Sequence, residues 1–398
     1  MNMKYFFIIG NNQALSIAEL NAVLILNKPQ LIAPDLLIAD IEEEFLAETL
    51  IQKLGGTIKI GLIQDILSTN NEQVLIDSLI NISISKQKKC KEGKFNFGFS
   101  VYGDASFNKK NIGIKIKNAF KSIGQSSRFV ISKEKSLSSV VITQNKMIAR
   151  GIELIGFKKD KKIYIGETLA VQPFKDLSRR DFGRPARDDL SGMLPPKLAM
   201  IMINLAQLQN RDDIIVDPFC GSGTVLNESA LMGYTTLFGS DISKKAIDDS
   251  YKNFSWLKDL YNLEGIRIKL AVRNVLALSK FVKNESASAI ITEPFLGPQR
   301  GQIDFKNVIS ELETLYSGAI IEFKKVLKSG GKVVMVWPNF YGQRKISPKH
   351  EGFKILNLLP EDLKKNPILT HSLSSRGNPI YSRSGQKVFR EIVILEKE

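Results

Sequence analysis

The chain has 398 residues, of which 43% are hydrophobic and 24% are charged. A single hydrophobic core stops growing at roughly 250–300 residues, so we expect more than one globular domain. Two cysteines without a CxxC pair, and two histidines, argue against a disulfide framework and against a zinc site. The apolar N-terminus predicts a strand rather than a secretory signal, and no apolar run approaches the ~20 residues of a membrane span. We therefore expect a cytoplasmic protein with neither a metal nor a membrane partner.

The net charge of +15 is concentrated in one part of the chain. Residues 1–66 carry a net charge of −4, residues 67–180 carry +13 and residues 181–398 carry +6. A uniformly basic composition would not leave the first segment acidic. Because a local basic surface attracts polyanions, most commonly phosphate backbones, the middle segment predicts nucleic-acid binding.

The N-terminal segment, residues 1–66, alternates short strands and helices. The pattern predicts strands at MKYFFIIG, LLIADI and TIKIGLI, and helices at Leu15–Leu26 and Glu44–Leu54, the second ended by Gly55-Gly56. This order is typical of a small α+β sandwich.

The basic segment, residues 67–175, repeats the mixed pattern. It predicts helices at Glu72–Ile84 and Lys109–Ile123, strands at FNFGFSVYG and Arg128–Ser132, and a lysine-rich hairpin turn before the strand IYIGETLAV. A lysine cluster is often only a solvated face, but several clusters in one small domain favour binding. The lysines that we expect to bind RNA are Lys109, Lys110, Lys115, Lys158 and Lys159.

The remainder, residues 195–398, follows a predicted linker at 176–194 that is rich in Arg, Asp, Gly and Pro. Pro195-Pro196 opens a predicted helix at Lys197–Leu208. Strands and helices then alternate, which predicts a doubly wound, largely parallel α/β sheet. The predicted strands are IIVDPF, TLFGSD, IRIKLAV, SAIITEPF, GKVVMVWP and KVFREIVILEKE, and the helices are Val225–Met232, Ala246–Leu260 and Ile309–Leu327.

The segment IIVDPFCGSGT, residues 214–224, carries the clearest motif. An apolar strand ends at Asp217, a glycine turn follows, and a helix begins, so free N–H groups face the carboxyl end of the strand. A dinucleotide fingerprint would place glycine where Val225 stands, and the GxxxxGK[ST] phosphate loop is absent. The run instead resembles motif I of class I methyltransferases that act on nucleic acids.

Three further strand ends carry polar residues. Asp241 follows Asp217 by 24 positions, where an acid can hydrogen-bond the ribose hydroxyls of a nucleoside cofactor. Methyltransferases with a similar motif I commonly have an acid after the third strand that contacts the adenine amine of the cofactor; this chain has Asn274 there, whose carbonyl could accept the same hydrogen bond. The sequence TEPFLGP, at 292–298, resembles the [D/N]-P-P-[Y/F/W] motif of amino-methylating enzymes, with Glu293 for Asp or Asn, Phe295 for the second proline and Leu296 for the aromatic residue.

Together these motifs resemble the THUMP-domain methyltransferases, and most closely the tRNA guanine-N2 methyltransferases that act at position 10. The resemblance implies a ferredoxin-like segment at 1–66, a THUMP-like RNA-binding domain at 67–175, and a Rossmann-like, S-adenosylmethionine-dependent methyltransferase domain at 195–398. The linker GRPARDDLSGMLPPKLAMIMINLA, with Arg184, Pro185 and Lys197, is similar to the stretch that walls the family's cofactor pocket.

The site residues implied by this resemblance form three groups. Catalytic residues are Glu293, Pro294 and Phe295; cofactor-binding residues are Asp217, Pro218, Phe219, Gly221, Gly223, Thr224, Asp241, Ile242, Asn274 and Val275; and Arg184 joins the five lysines that bind RNA. The expected product is N2-methylguanosine in tRNA. An rRNA or DNA amino-methyltransferase, and a non-catalytic RNA-binding protein that keeps the fold, stay open as alternatives, as does the need for an accessory subunit.

Overall fold

Two sheets organise the protein, seen in a computed structural model that describes residues 3–90, 93–187, 193–298, 304–342, 344–383 and 385–398. The strands of the N-terminal half are β1 (Met3–Ile9), β2 (Asn27–Ala33), β3 (Leu36–Ile41), β4 (Thr57–Leu67), β5 (Phe95–Val101), β6 (Ser127–Phe129), β7 (Gly151–Lys159) and β8 (Lys162–Val171). Its helices are α1 (Gln13–Leu24), α2 (Ala47–Leu50), α3 (Glu72–Gln87), α4 (Lys109–Ser122), α5 (Ser139–Gln144) and α6 (Met147–Arg150).

The C-terminal half begins with two helices that lead into the second sheet. Its helices are α7 (Phe174–Phe182), α8 (Pro196–Leu205), α9 (Thr224–Leu231), α10 (Lys244–Tyr261) and α11 (Phe305–Val326). Its strands are β9 (Ile214–Asp217), β10 (Thr236–Asp241), β11 (Arg267–Val272), β12 (Ala287–Thr292), β13 (Leu327–Phe340), β14 (Arg344–Lys345), β15 (Phe353–Leu356), β16 (Ile380–Tyr381) and β17 (Val388–Lys397).

The first sheet runs through both predicted N-terminal segments, with the strand order β2-β3-β1-β4-β8-β7-β5-β6 over the described residues. Strand β4 pairs with β1 on one side and with β8 on the other. The boundary predicted at residue 66 therefore falls inside β4, and the two segments share one sheet. Their division into separate domains stays a prediction.

The second sheet has the order β11-β10-β9-β12-β13-β17-β15, with β14 and β16 paired at its margins. Strands β9 to β13 are parallel to their neighbours, and β17 is antiparallel to β13. The predicted α/β class, with a doubly wound sheet and a final antiparallel strand, is confirmed. The chain runs outward from β9 to β11 and then returns to β12, so the direction of winding reverses between β9 and β12.

Several elements differ from their predicted form. Helix α7 occupies residues 176–182 of the predicted linker at 176–194, and there Arg180 pairs with Asp176 one turn earlier. Residues 188–192 of that linker lie outside the described residues. Strand β2 was not predicted, because Pro29 interrupts its pattern. Pro29 is tolerated there because β2 lies at the edge of the sheet. The predicted helix at Glu44–Leu54 shortens to the single turn of α2.

The two halves are packed together by apolar and polar contacts. Leu15 and Ala18 of α1 belong to the hydrophobic cluster formed by α8 and the second sheet. The buried Glu19 carboxylate accepts hydrogen bonds from the N–H groups of Gly55 and Gly56 and from the Asn204 side chain, each at 2.8 Å. Burial raises the pKa of Glu19 to about 7. In the other direction, three leucines that follow β15 pack into the core of the first sheet, namely Leu359, Leu363 and Leu369.

Candidate functional site

The predicted site residues meet at one edge of the second sheet. Asp217 ends β9 and Asp241 ends β10, while Asn274 and Glu293 follow β11 and β12. Since these four strands are adjacent and parallel, their carboxyl ends form one edge. The winding reverses between β9 and β12, and doubly wound sheets bind ligands in a crevice at the carboxyl ends of the strands beside such a point.

The glycine turn after β9 needs residues without a side chain. Gly221 and Gly223 have φ values of +51° and +85°, and Gly223 precedes the first turn of α9. A Cβ atom on Gly223 would lie 2.4 Å from the Ser250 hydroxyl oxygen of α10. The turn can therefore approach both α10 and a ligand closely, and it presents the free N–H groups and the positive dipole end of α9.

Asp241 is fixed beside this turn. One carboxylate oxygen accepts a hydrogen bond from the Gly221 N–H at 3.1 Å, and the other accepts one from the Ser243 N–H at 2.9 Å. An ionised carboxylate has about four lone-pair sites, so capacity for two hydroxyl donors remains. This arrangement fits the predicted contact with a ribose.

Asp217 is more buried than Asp241, with 2% of its surface exposed. Its carboxylate accepts hydrogen bonds from the Thr292 hydroxyl at 2.7 Å and from the Phe219 N–H at 3.2 Å. Burial, with smaller contributions from the nearby carboxylates of Asp241 and Glu293, raises the pKa of Asp217 to about 7. Three carboxyl groups in one crevice favour a cationic ligand, because a positive charge would stabilise the ionised form of Asp217.

The ends of β10 and β11 together offer an apolar side chain and one amide. Ile242 is 69% exposed, whereas the Val275 side chain is buried in the core, so only the backbone of Val275 can face a ligand. The exposed Asn274 accepts a hydrogen bond from the Leu276 N–H at 2.9 Å and caps a short 3-10 helix at Val275–Lys280. A second lone pair on the Asn274 carbonyl is left for an amine.

The segment after β12 carries the residues predicted to contact the methyl acceptor. Phe295 is 62% exposed, whereas Leu296 is buried. The aromatic side chain that can stack on a base is therefore Phe295, one position earlier than in the related motif. The Tyr316 hydroxyl of α11 donates a hydrogen bond to the Phe295 carbonyl at 3.0 Å and fixes the backbone there. Glu293 forms an ion pair with Arg390 of β17.

Arg184 corrects one sequence prediction. We expected it to bind RNA, but its side chain is buried and donates a hydrogen bond to the Thr224 hydroxyl at 2.7 Å. Burial also lowers the pKa of Arg184. Because a guanidinium packed against the start of α9 cannot reach a phosphate outside, Arg184 belongs to the wall of the glycine turn, as the linker resemblance implies.

The predicted RNA-binding lysines differ in their surroundings. Lys110 and Lys115 are exposed on α4. The Lys109 ammonium donates hydrogen bonds to the backbone carbonyls of Ser132, Glu134 and Lys135, and so holds a loop. Lys158 lies over the Phe107 ring, with 5.5 Å between the nitrogen and the ring centroid, and Lys159 donates to Gln30. A role in RNA binding stays a prediction for all five.

Three residues at the site were not predicted. Thr292 begins the TEPFLGP segment and was given no role of its own, yet its hydroxyl joins β12 to Asp217 on the neighbouring strand β9. Arg390 was noted only within the final strand. Asn253 of α10 bonds the Ala186 backbone at 2.9 and 3.0 Å and the Ser222 carbonyl at 2.9 Å, which ties the linker to the glycine turn. Such partners are distant in sequence, so no local motif marks them.

The described residues hold neither a candidate metal cluster nor a candidate membrane span. No cluster of three or more His, Cys, Asp or Glu side chains within them has the arrangement of a metal site. None of the helices placed in the described parts of the chain combines the length and apolar character needed to cross a bilayer.

A doubly wound sheet with a glycine turn after its first strand, acids at the first two strand ends and an amine-acceptor segment after the fourth defines a class I methyltransferase domain. The comparisons with known proteins agree: residues 184–342 match the family described as the RMKL-like methyltransferase domain. This part of the chain is therefore similar to the methyltransferase domains of that family.

Relatives extend the similarity beyond this domain. The chain is 32% identical over 187 residues to the tRNA (guanine(10)-N2)-dimethyltransferase of Methanocaldococcus jannaschii, which covers 44% of this chain and 48% of that protein. It is 26% identical over 141 residues to the U6 snRNA (guanine-N(2))-methyltransferase THUMPD2 of Bos taurus, covering 35% and 24%. The chain thus spans about half the length of the archaeal relative. The crystal structure of TrmN from Thermus thermophilus shares the fold over 99% of this chain and 100% of its own, with a TM-score of 0.52 and 16% identity.

Proposed function

We propose that the protein is an S-adenosylmethionine-dependent RNA methyltransferase that methylates the exocyclic N2 amine of a guanosine in tRNA. The observation that carries the proposal is the position of Glu293: it follows β12, and its carboxylate lies near enough to Asp217, as that of Asp241 does, to raise the pKa of Asp217. It can therefore accept a hydrogen bond from an amine that faces a bound methyl donor. The archaeal relative, whose name states guanine-N2 methylation of tRNA, supports this choice of atom and substrate.

The residues around the crevice fit S-adenosylmethionine. Asp217 and the glycine turn would hold the cationic methionine end, Asp241 the ribose, and Ile242 with Asn274 the adenine. When bound, S-adenosylmethionine would supply the methyl group. The residues of the site would align the acceptor amine with it, and the amine would lose one proton on methylation. Such a transfer depends on alignment more than on a strong base, which agrees with a site without histidine.

The acceptor base would lie between Glu293 and Phe295. A base in a paired helix must leave the stack to reach a crevice, and an exposed aromatic ring replaces its lost stacking. The exposed Phe295 can do so, while the Glu293 carboxylate accepts a hydrogen bond from the exocyclic amine. Glu293 thus orients the nitrogen lone pair toward the methyl group.

The basic N-terminal half would hold the rest of the RNA. Exposed lysines such as Lys110 and Lys115 would contact phosphates of the RNA. Such contacts do not depend on the base sequence, and they position the substrate. The similarity to THUMPD2, whose name states an snRNA substrate, makes a different structured RNA a defined outcome of the test.

The test is transfer of labelled methyl groups from S-adenosylmethionine to unmodified tRNA, followed by nucleoside analysis. The proposal expects label in N2-methylguanosine, loss of transfer with retained cofactor binding in Glu293→Ala, and loss of cofactor binding in Gly223→Asp. Label in another nucleoside would contradict the guanine assignment. Transfer to snRNA but not to tRNA would contradict the tRNA assignment alone. Cofactor binding without transfer to any RNA would favour a non-catalytic RNA-binding protein.

A further inference from the structure

The ion pair between Glu293 and Arg390 connects two strands that are not neighbours. Arg390 lies near the start of β17, opposite Pro338 at the end of β13. Glu293 follows β12, on the far side of β13. Adjacent strands lie about 4.8 Å apart, so the guanidinium reaches across roughly 10 Å of sheet edge to contact the carboxylate. The contact forms through Arg390 Nε, with Nη2 at 3.5 Å from the second carboxylate oxygen.

The Arg390 side chain is itself held in place. It is 6% exposed and lies over the Tyr381 ring of β16, 6.0 Å from the centroid. The Tyr381 hydroxyl in turn accepts a hydrogen bond from Arg383 at 2.8 Å. A buried guanidinium with an aromatic face below it has little conformational freedom left, so it offers a fixed partner to Glu293.

We propose that Arg390 is a positioning residue that holds the Glu293 carboxylate to accept two hydrogen bonds from the Watson–Crick edge of guanine. The proposal rests on the function proposed above. Glutamate has one more methylene than the aspartate or asparagine of the related motif, so an unrestrained side chain would sample several orientations. The ion pair selects one of them and leaves lone pairs on both oxygens.

The geometry of the base explains why a carboxylate would select guanine. The N1–H and N2–H groups of guanine are adjacent donors, and an ionised carboxylate carries only acceptors. Adenine and 2,6-diaminopurine have an acceptor at N1, which would face a carboxylate oxygen. The amide of Asn or Gln, with one donor and one acceptor, fits that second pattern instead. The pair of Glu293 and Arg390 is therefore a specificity device as well as a support.

The experiment compares two RNAs that differ at the methylated position. One carries guanosine and the other carries 2,6-diaminopurine ribonucleoside, which keeps the 2-amino group but replaces the N1 donor by an acceptor. The wild-type enzyme should prefer guanosine by about 10–100-fold in kcat/KM, the range that a charge-assisted hydrogen bond supports. Glu293→Gln should reduce or reverse this preference. An enzyme inactive on both RNAs would refute the proposed function, whereas activity without preference would refute only this inference.

Arg390→Met keeps much of the stem and removes the charge. It should lower kcat on guanosine RNA by about 10–100-fold and reduce the guanosine preference, with cofactor affinity unchanged, and Arg390→Lys should recover part of both. Unchanged kcat and preference, or a loss matched by weaker cofactor binding, would overturn the positioning role. If Arg390→Met fails to fold, Glu293→Gln/Arg390→Met removes both charges. Its activity should equal that of Glu293→Gln, and a further loss would count against the proposal.

A matched control lies on the same strand. Arg376 forms an ion pair with Glu391, the residue after Arg390, at 2.7 Å, and its guanidinium lies over the Trp337 ring. Glu391 is buried and Arg376 is half-buried, on the face of β17 opposite to Arg390. Among the described residues, neither has a hydrogen bond or an ion pair with a site residue. Arg376→Met should therefore reduce stability but leave the preference for guanosine intact. A parallel loss of preference in this variant would mean that the effect of Arg390 is general to the sheet.

Discussion

The close approach of the glycine turn to α10 can be tested by adding one methyl group. In Gly223→Ala, the alanine would have to keep the backbone φ of +85°. Its Cβ would lie 2.4 Å from the Ser250 hydroxyl oxygen and 3.3 Å from the Ser250 Cβ. The backbone conformation costs about 1–2 kcal/mol for an L-residue. The overlap adds about 1–3 kcal/mol, because buried neighbours must move. We expect the free energy of unfolding, measured in urea, to fall by about 2–5 kcal/mol.

A second glycine separates these two contributions. Gly265, between α10 and β11, has a φ of +71° and no atom within 4 Å of an added Cβ, so Gly265→Ala carries the conformational cost alone. Removing the Ser250 hydroxyl in Gly223→Ala/Ser250→Ala should recover part of the lost stability. Cofactor affinity by calorimetry should fall in Gly223→Ala and not in Gly265→Ala. Equal destabilisation by the two alanines, or no recovery in the double variant, would refute the steric argument.

Three other predictions follow from titratable and charged residues. A cationic cofactor would be bound better by ionised Asp217, and the pKa of Asp217 is raised to about 7. The Kd of S-adenosylmethionine should therefore fall as the pH rises from 6 to 8, and this pH dependence should vanish in Asp217→Asn. Glu19 has its pKa raised from 4.5 to about 7, so its contribution to stability is lost as pH rises through that interval; Glu19→Gln should flatten that part of a urea-unfolding pH series, in which each pKa unit is worth about 1.4 kcal/mol. Lys115→Glu should weaken tRNA binding and reduce its salt dependence in a filter assay, whereas the same change at exposed Lys283, outside the basic half, should not; equal effects would contradict a local RNA surface.

The fold of the second sheet followed from the sequence because its strands are nearly continuous apolar runs. Buried parallel strands such as β12 and β13 need such runs, and the helices between them have clear starts, including the proline pair before α8. Elements at margins were harder to predict. Strand β2 contains Pro29, and α7 buries one apolar residue, Leu177, beside the charged Arg180, so neither has the run of apolar residues that marks the central elements.

The residues of the site likewise fall into those that a local motif predicts and those that only the fold brings together. Asp217, Gly223 and Asp241 were predictable because a strand end and a turn impose their positions. Arg390 and Thr292 contact them from strands far away in the chain, and only the order of strands brings them together. Arg184 was misassigned because its charge, taken alone, favours a surface, whereas the fold pays for its burial with a hydrogen bond to Thr224.

The packing of α1 against α8 has a consequence for how such a protein could diversify. Leu15 and Ala18 lie in the same hydrophobic cluster as α8, and Leu359 packs into the core of the first sheet. Each half therefore buries residues of the other, and neither can be exchanged on its own without exposing them. If the N-terminal half were exchanged for another RNA-binding domain, the new domain would need a complementary interface with the C-terminal half. Without one, leucines of both halves would be exposed to water. This interface also fixes the distance from the lysines of α4 to Glu293. Changes in RNA specificity should therefore arise by substitutions on the surface of the N-terminal half rather than by exchange of that half.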